Sequence, residues 1–257
     1  MHRRRLVVAL LALLLLAGCN ALSAPSSGTE TLTPAAVPEG VPTAAPGVPA
    51  AEGVTALDAD RLLAADERRR EATSYRLMRA VEIRGRNWTT RIDRDRRVAA
   101  DGTIYERVET EGSPGLTPAV ARSELWKDGS TVFVRTYDQD GTRIERGPFP
   151  SVPGHFRRWV LLREQLVTGG EYRVERTAEG VVLRTAEPPP VGEAVIPISL
   201  GEPRNVTAQL AVEESGLIRS LRLRYDTTFQ GETVRVEITH RLTAVGNTTV
   251  DRPDWVD

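Results

Sequence analysis

Several residue types are scarce in this sequence, and each scarcity excludes a class of protein. The chain has one cysteine, which excludes an internal disulfide and a zinc site made of four cysteines. Its 34 basic and 35 acidic residues leave a net charge of −1, whereas a general nucleic-acid-binding protein shows a strong basic excess. With 257 residues, 40% of them hydrophobic and 27% charged, the composition still suits one large domain with an attached tail.

The sequence also lacks the common catalytic and cofactor motifs. It contains no P-loop, no dinucleotide-binding GxGxxG, no HExxH, no EF-hand loop and no GxSxG. Only His155 and His240 would remain after removal of an export signal. We expect His155 to open a helix and His240 to pack on a strand between Ile238 and Leu242. The sequence therefore predicts no enzyme, no catalytic residues, no cofactor and no metal site.

The start of the chain has the pattern of an export signal. Residues 2–5 are His-Arg-Arg-Arg, and residues 6–17 are twelve consecutive apolar residues. A basic segment before a short apolar run is typical of a secretory signal, because about 20 residues are needed to cross a ~30 Å hydrocarbon core. The pair Arg3-Arg4 is compatible with the twin-arginine route, so both export routes stay open. We predict a signal peptide over residues 1–18.

The apolar run ends in Leu16-Ala17-Gly18-Cys19, which resembles the lipobox of bacterial and archaeal lipoproteins. This resemblance implies that the Cys19 thiol carries diacylglycerol and that cleavage makes Cys19 the new N-terminus. Two acyl chains on one residue form a stable anchor, whereas one chain binds a membrane only marginally. The mature chain would carry a net charge of −4, since the signal contains three arginines and no acid. We predict a protein that is lipid-anchored on the extracytoplasmic face of the cell membrane.

The composition changes again after Cys19 and near Thr55. Residues 20–54 consist mostly of Ala, Pro, Thr, Ser and Gly, with three glutamates as their only charges. Such a segment buries too little apolar area to order itself. We therefore predict that residues 19–54 are a lipidated cysteine followed by a disordered tether. The packed domain is expected to span residues 55–257.

Two segments of the domain have helical patterns. Residues 59–73 contain neither Gly nor Pro and follow a candidate capping box at residues 55–58, which predicts an N-terminal helix. Residues 68–70 are all arginine, and they fit either a solvated last turn or a patch that touches anionic lipid. Residues 155–170 carry apolar side chains at a spacing near 3.6 and end in Gly-Gly, which predicts a mid-chain helix.

The rest of the domain alternates between apolar and polar residues. The period-two runs cover residues 75–84, 88–93, 132–137, 206–213, 221–226 and 234–242. Turn pairs that end in glycine separate such runs at 101–102, 128–129, 140–141, 179–180, 215–216 and 230–231. These pairs between alternating strands are typical of hairpins. We predict an α+β fold, mainly β. In it, a large curved antiparallel sheet, a half-barrel of about ten strands, is covered by the N-terminal and mid-chain helices.

The order of these parts resembles the lipoprotein-carrier architecture. That architecture is a half-barrel sheet covered by helices, and it occurs in outer-membrane lipoprotein carriers, their receptor and mycobacterial glycolipid-binding lipoproteins. Residues 55–85 and 236–257 also resemble membrane lipoproteins of halophilic archaea. The resemblance carries no catalytic motif. It implies a space for an acyl chain between the sheet and the helices, without identifying any ligand-binding residue.

The asparagines point to the cell surface. Three of the four lie in Asn-x-Thr sequons, at Asn87, Asn205 and Asn247. Such sequons mark acceptor sites for glycans on exposed surfaces of secreted proteins. Chance and the ordinary use of Asn and Thr at strand ends are the alternative explanation. We predict glycosylation at all three positions, and the combination of lipobox and sequons favours an archaeal envelope.

Two functions from different classes fit this sequence. One is a binding protein that encloses a lipid or another hydrophobic ligand between sheet and helices. The other is a glycosylated structural or interaction domain of the cell surface that holds no ligand. The space between the sheet and residues 155–168 distinguishes them, because an apolar cavity favours carriage and a filled core favours the second function. The candidate lining residues, which would equally form a closed core, are Leu77, Val81, Val134, Phe156, Trp159, Leu210, Leu223 and Val236.

Overall fold

A computed structural model describes residues 44–50, 52–112, 116, 121–138, 141–148, 157–189 and 200–256. The predicted signal peptide and Cys19 lie outside these residues, as do His155 and Phe156. The side chain of Trp159 also lies outside the described part of the chain.

The described residues form two helices and twelve strands. The helices are α1 (Ala59–Glu71) and α2 (Arg157–Thr168). The strands are β1 (Gly53–Ala56), β2 (Tyr75–Arg84), β3 (Thr89–Val98), β4 (Ile104–Glu111), β5 (Arg122–Asp128), β6 (Thr131–Asp138), β7 (Gly141–Pro148), β8 (Glu171–Thr177), β9 (Gly180–Thr185), β10 (Arg204–Val212), β11 (Ile218–Phe229) and β12 (Glu232–Thr243).

All twelve strands belong to one curved, unclosed antiparallel sheet. Their order is β1-β8-β9-β10-β11-β12-β2-β3-β4-β5-β6-β7, so β12 pairs with β2 and joins the two halves of the chain. The predicted fold class is confirmed: the fold is mainly β, with a large curved sheet and two helices. The number of strands differs, because the sequence predicted about ten and missed short strands such as β1.

The predicted hairpin turns are confirmed where the structure describes them. Gly102 connects β3 to β4, Gly129 connects β5 to β6, Gly216 connects β10 to β11, and Gly231 connects β11 to β12. All four have a positive φ, between 54° and 86°. L-residues rarely adopt this backbone conformation, which explains why each turn needs glycine. Gly216 has a second constraint, because a Cβ there would lie 2.6 Å from the Cβ of Ala65 in α1.

The two helices pack on one face of the sheet, which we call the helix face. Leu62 of α1 and Leu162 and Leu166 of α2 are fully buried in one apolar cluster with residues of β8 to β12 and β2. On β12 the helix face carries Val234, Val236, Ile238, His240 and Leu242, and each of these side chains is buried. The alternate residues of the strands lie on the opposite face, which we call the far face.

Helix α1 differs from its prediction at both ends. Its N-cap is Asp58, whose side chain accepts a hydrogen bond from the Arg61 N–H at 3.1 Å. The predicted capping box is therefore wrong, and Thr55 instead pairs with Tyr172 as part of β1. At the other end, the side chain of Arg70 is 9% exposed and donates to Asp66 at 2.8 Å, so this arginine is not solvated.

The packed domain begins before the boundary expected at Thr55. Ala45 and Val48 are 1% and 5% exposed and belong to the main apolar cluster. The Asp58 N–H donates to the carbonyl of Gly47 at 2.9 Å, and a Cβ on Gly47 would lie 2.4 Å from the Asp58 carbonyl oxygen. Residues 44–50 are thus part of the packed domain, although their composition is that of the tether.

Candidate functional site

Most of the residues predicted to line a ligand cavity belong to the packed core. Val81, Leu210, Leu223 and Val236 lie in the main cluster and are at most 8% exposed. Leu77 is 4% exposed but belongs to a separate small cluster with Leu217 and Leu242.

Val134 is only half-buried and packs on a third cluster, around β5 and β6. The structure therefore separates the six described lining residues into three clusters rather than bringing them together around one space.

The helix face also holds a buried ionic junction that the sequence did not predict. Asp66 of α1 is fully buried, and its carboxylate accepts hydrogen bonds from Arg70 at 2.8 Å and from Arg163 of α2 at 2.6 Å. Its other oxygen accepts the backbone N–H of Ile218 in β11 at 2.8 Å. One carboxylate thus connects both helices to the sheet.

His240 lies on the helix face and is 2% exposed, as the sequence predicted for a packed histidine. Burial lowers its pKa well below the usual value, and the nearby charges of Arg79, Arg70 and Arg94 lower it further. The imidazole is therefore neutral at physiological pH. A neutral, buried histidine fits a structural role better than proton exchange with solvent.

The far face carries a groove over its central strands, from β10 to β4. The groove has a volume of about 780 Å³. Its middle is the polar side of β12, where Thr239 is half-buried and Arg241 is exposed. The far-face side chains that line it include five arginines and four acids: Arg76, Arg91, Arg107, Arg222 and Arg241, and Asp93, Asp95, Glu109 and Glu237.

Ion pairs across neighbouring strands hold the groove's side chains in place. Arg76 and Asp95 form a bidentate pair with distances of 2.8 and 2.9 Å. Glu237 accepts hydrogen bonds from Arg222 and Arg224, both at 2.9 Å. Burial raises the pKa of Glu237, but these two hydrogen bonds outweigh burial and leave the pKa below its usual value. The groove thus presents fixed charges of both signs.

The C-terminal tail, residues 247–256, crosses the far face beside this groove. Val256 is 4% exposed and packs in a cluster with Trp126 and Phe133. The guanidinium of Arg135 lies 4.8 Å from the centre of the Trp255 ring, which is a cation–π distance. A second cavity, of about 740 Å³, lies between the tail and β3 to β6. The tail therefore borders the groove on the side of β4.

A buried carboxylate lies on the same face, at the strands that the tail crosses. Glu124 is 3% exposed and accepts hydrogen bonds from Arg122 at 2.6 Å, from Arg135, and from the hydroxyls of Tyr105 and Tyr137 at 3.1 and 3.2 Å. Burial raises its pKa, but the hydrogen bonds from Arg122, Arg135 and Tyr105 outweigh burial and lower the pKa to about 2. Because all these donors converge on it, Glu124 organises β4, β5 and β6.

The predicted glycan acceptors are exposed. Asn87 lies in the connection between β2 and β3, and Asn247 follows β12. Asn205 lies in β10 with a positive φ of 54°, and its side-chain amide donates to Asp226 at 3.0 Å. All three positions have the exposure that a glycan requires, so glycosylation remains a prediction for each of them.

The described residues lack two features. They contain no group of three or more His, Cys, Asp or Glu side chains arranged to hold a metal ion. In the same part of the chain, no helix is long and apolar enough to cross a membrane.

Neither the groove nor the Glu124 cluster was predicted from the sequence. The period-two pattern does place these residues on one face. It could have predicted a face rich in Arg, Asp and Glu. It contains no signal for the curvature that makes a groove, or for the tail that borders it.

The C-terminal part of the chain is similar to the model of one protein family, whose function is unknown. A family model, DUF7537, matches residues 201–257, which comprise β10, β11, β12 and the tail. These strands supply the middle of the groove. No curated protein matches the chain.

Two solved structures show a partial likeness to the chain. One is MucB in complex with MucA(peri), with 17% identity, a TM-score of 0.30, and 77% of this chain covered. The chain spans only 58% of the length of that MucB chain. The other is a DUF1329 family protein from Desulfovibrio piger, with 12% identity, a TM-score of 0.26, and coverage of 76% of this chain and 93% of that one. At these TM-scores, no ligand or partner of this chain follows from either likeness.

Proposed function

We propose that the protein is a lipid-anchored, non-enzymatic interaction domain on the extracytoplasmic face of the membrane, and that it binds its partner in the far-face groove. The observation that carries the proposal is the groove itself, a depression of about 780 Å³ over the central strands. The first of the two functions predicted from the sequence, a hydrophobic ligand between sheet and helices, has less support because its described lining residues are packed side chains.

The chemistry of the groove favours a polypeptide segment with charged side chains. Arginine forms bidentate pairs with carboxylates and is enriched in protein–protein interfaces. The five arginines would suit a phosphate-rich polyanion as well, but Asp93, Asp95, Glu109 and Glu237 would repel it. A polypeptide with acidic and basic side chains can pair with both signs, and such charge complementarity gives specificity.

The remaining parts of the proposal rest on the sequence. The lipobox at Cys19 supports attachment to the membrane, and residues 20–43 would form the tether between the anchor and the packed domain. The sequons at Asn87, Asn205 and Asn247 support display on a glycosylated surface.

Site-specific photocross-linking in intact cells tests the location of the binding surface. A photoreactive amino acid replaces Thr239, at the centre of the groove, or Arg173, an exposed far-face residue of β8 outside the groove. We expect a discrete cross-linked protein from position 239 and none from position 173. Equal cross-linking at both positions, or none from position 239, would reject the groove as the binding surface.

A further inference from the structure

The sheet ends in two edge strands of different length, β1 and β7. Strand β1 has four residues, whereas β7 has eight, from Gly141 to Pro148. Among the described residues, no strand pairs with the outer side of β7. An edge strand presents a row of unpaired N–H and C=O groups, which can pair with a strand of another chain. Strand β7 is therefore the longer of the two edges at which the sheet could be extended.

The centre of β7 is exposed on both faces of the sheet. Arg143 and Glu145 point to the helix face, and their side chains are 67% and 63% exposed. They form an ion pair within the strand, at 3.1 Å. Between them, Ile144 points to the far face and is 51% exposed. It is one of two exposed large hydrophobic residues in the described part of the chain, and the other is Val54 on the opposite edge strand.

We propose that β7 is a homotypic interface, at which a second copy of this chain adds its own β7 in antiparallel orientation. The Ile144 side chain then lies directly opposite the partner's Ile144. Arg143 lies opposite the partner's Glu145, and Glu145 lies opposite the partner's Arg143. The sheet continues from one copy into the other across this pair of strands.

The charges of β7 select this register over the neighbouring ones. In an antiparallel pair, directly opposite residues are of the same hydrogen-bonding type, so registers shift in steps of two residues on the partner strand. One shift places Arg143 opposite the partner's Arg143, and the other places Glu145 opposite the partner's Glu145. Like charges directly opposite each other destabilise a strand pair, whereas opposite charges stabilise it. Of these three registers, only the one centred on Ile144 has no like-charge pair.

In that register the interface is complementary on both faces. On the helix face, each arginine is next to its own glutamate along the strand and next to the partner's glutamate across the strands. On the far face, the two Ile144 side chains cover each other's exposed surface, and burying apolar area stabilises the pair. The same charges oppose pairing in other registers, which matches how natural edge strands limit unspecific association.

A charge-swap experiment on the full-length chain tests the proposal. All proteins carry Cys19→Ser, and sedimentation equilibrium measures the dimer dissociation constant. We expect the reference protein to dimerise reversibly. Arg143→Glu and Glu145→Arg should each raise Kd by about tenfold or more, because each removes two attractive pairs from the symmetric interface and adds repulsion. The double swap, Arg143→Glu with Glu145→Arg, should restore the Kd of the reference protein.

A cysteine scan of the strand tests the register independently. Ile144→Cys should form a disulfide between two copies under mild oxidation, whereas Thr142→Cys should not, because position 142 lies opposite the partner's Arg146. A monomeric reference protein would overturn the proposal. So would a dimer whose Kd does not respond to the single charge changes, or a double swap that fails to restore dimerisation. Efficient cross-linking at position 142 without cross-linking at position 144 would overturn the register.

Discussion

The carboxylate of Asp66 on α1 accepts a hydrogen bond from the guanidinium of Arg163 on α2 at 2.6 Å, and both side chains are at most 9% exposed. The same carboxylate accepts the Ile218 N–H, so this pair connects the two helices to the start of β11. Because α1 and α2 cover the apolar side of the sheet, the Asp66–Arg163 pair holds in place the two helices that close the core.

Replacing Asp66 should therefore destabilise the fold strongly. Asp66→Ala leaves Arg163 buried without the carboxylate that pairs with it. Breaking a buried pair in this way lowers the free energy of unfolding by about 3–5 kcal/mol. Chemical denaturation measures the free energy of unfolding. The control is Glu67→Ala, at an exposed position next to it in the same helix, for which the expected change is within about 0.5 kcal/mol. Equal stability of the two variants would contradict the role given to Asp66.

The Glu124 cluster should make stability depend on pH below about 4.5. The pKa of Glu124 is about 2 in the folded protein, below its ordinary value of 4.5. Its stabilisation is therefore fully present above pH 4.5 and is lost as the pH falls through about 2. Glu124→Gln should lower the free energy of unfolding by on the order of 2–3 kcal/mol at neutral pH. The difference in the free energy of unfolding between this variant and the wild type should shrink as the pH falls toward 2.

Denaturation curves at several pH values check this expectation. The matched control is Glu179→Gln, because Glu179 is exposed in the turn between β8 and β9. The contrary result is that the free energies of unfolding of wild type and Glu124→Gln differ by the same amount from neutral pH to pH 2. That result would show that the carboxylate charge does not stabilise the cluster.

Cys19→Ser should release the protein from the membrane. Without the thiol no diacylglycerol can be attached, and the two acyl chains that would hold the chain at the membrane are lost. Fractionation of cells that express either form measures the membrane-bound share. Retention of Cys19→Ser at the wild-type level would contradict the lipobox interpretation.

Each occupied sequon should contribute one glycan to the mass of the protein from its native host. Asn87→Gln, Asn205→Gln and Asn247→Gln should each lower the intact mass by one glycan. Thr89→Ala is a matched test for the first site, because it keeps Asn87 but destroys the sequon that glycosylation requires. A mass unchanged apart from the substitution itself would show that the sequon in question is not used.

Local patterns predicted much of the fold. The turns at Gly102, Gly129, Gly216 and Gly231, the alternating strands between them and both helices follow from short-range periodicity and backbone preference. The sequence did not predict β1, because four residues in a segment rich in Ala, Gly and Pro show no alternation. Their strand exists only because β8 is beside them.

The features that define the candidate site could not be predicted in this way. Asp66 and Arg70 lie in the run ADERRRE, which is typical of a solvated helix face, and their burial depends on α2 and β11. Glu124 is likewise one charge among many until side chains of β4 and β6 surround it. Long-range packing, which leaves no local pattern, decides which charges are buried and where the far face becomes a groove.

If the far-face groove binds a charged polypeptide, the yield of the cross-link from position 239 should depend on the sign of the charge in the groove. Arg241 is exposed in the groove, and none of the described ion pairs includes it, so Arg241→Glu should leave the fold intact. With this change the yield should fall by about tenfold, since an attraction becomes a repulsion, whereas Arg173→Glu should leave it unchanged. An equal yield in both variants would show that the charge of the groove does not contribute to binding, contrary to the proposed function.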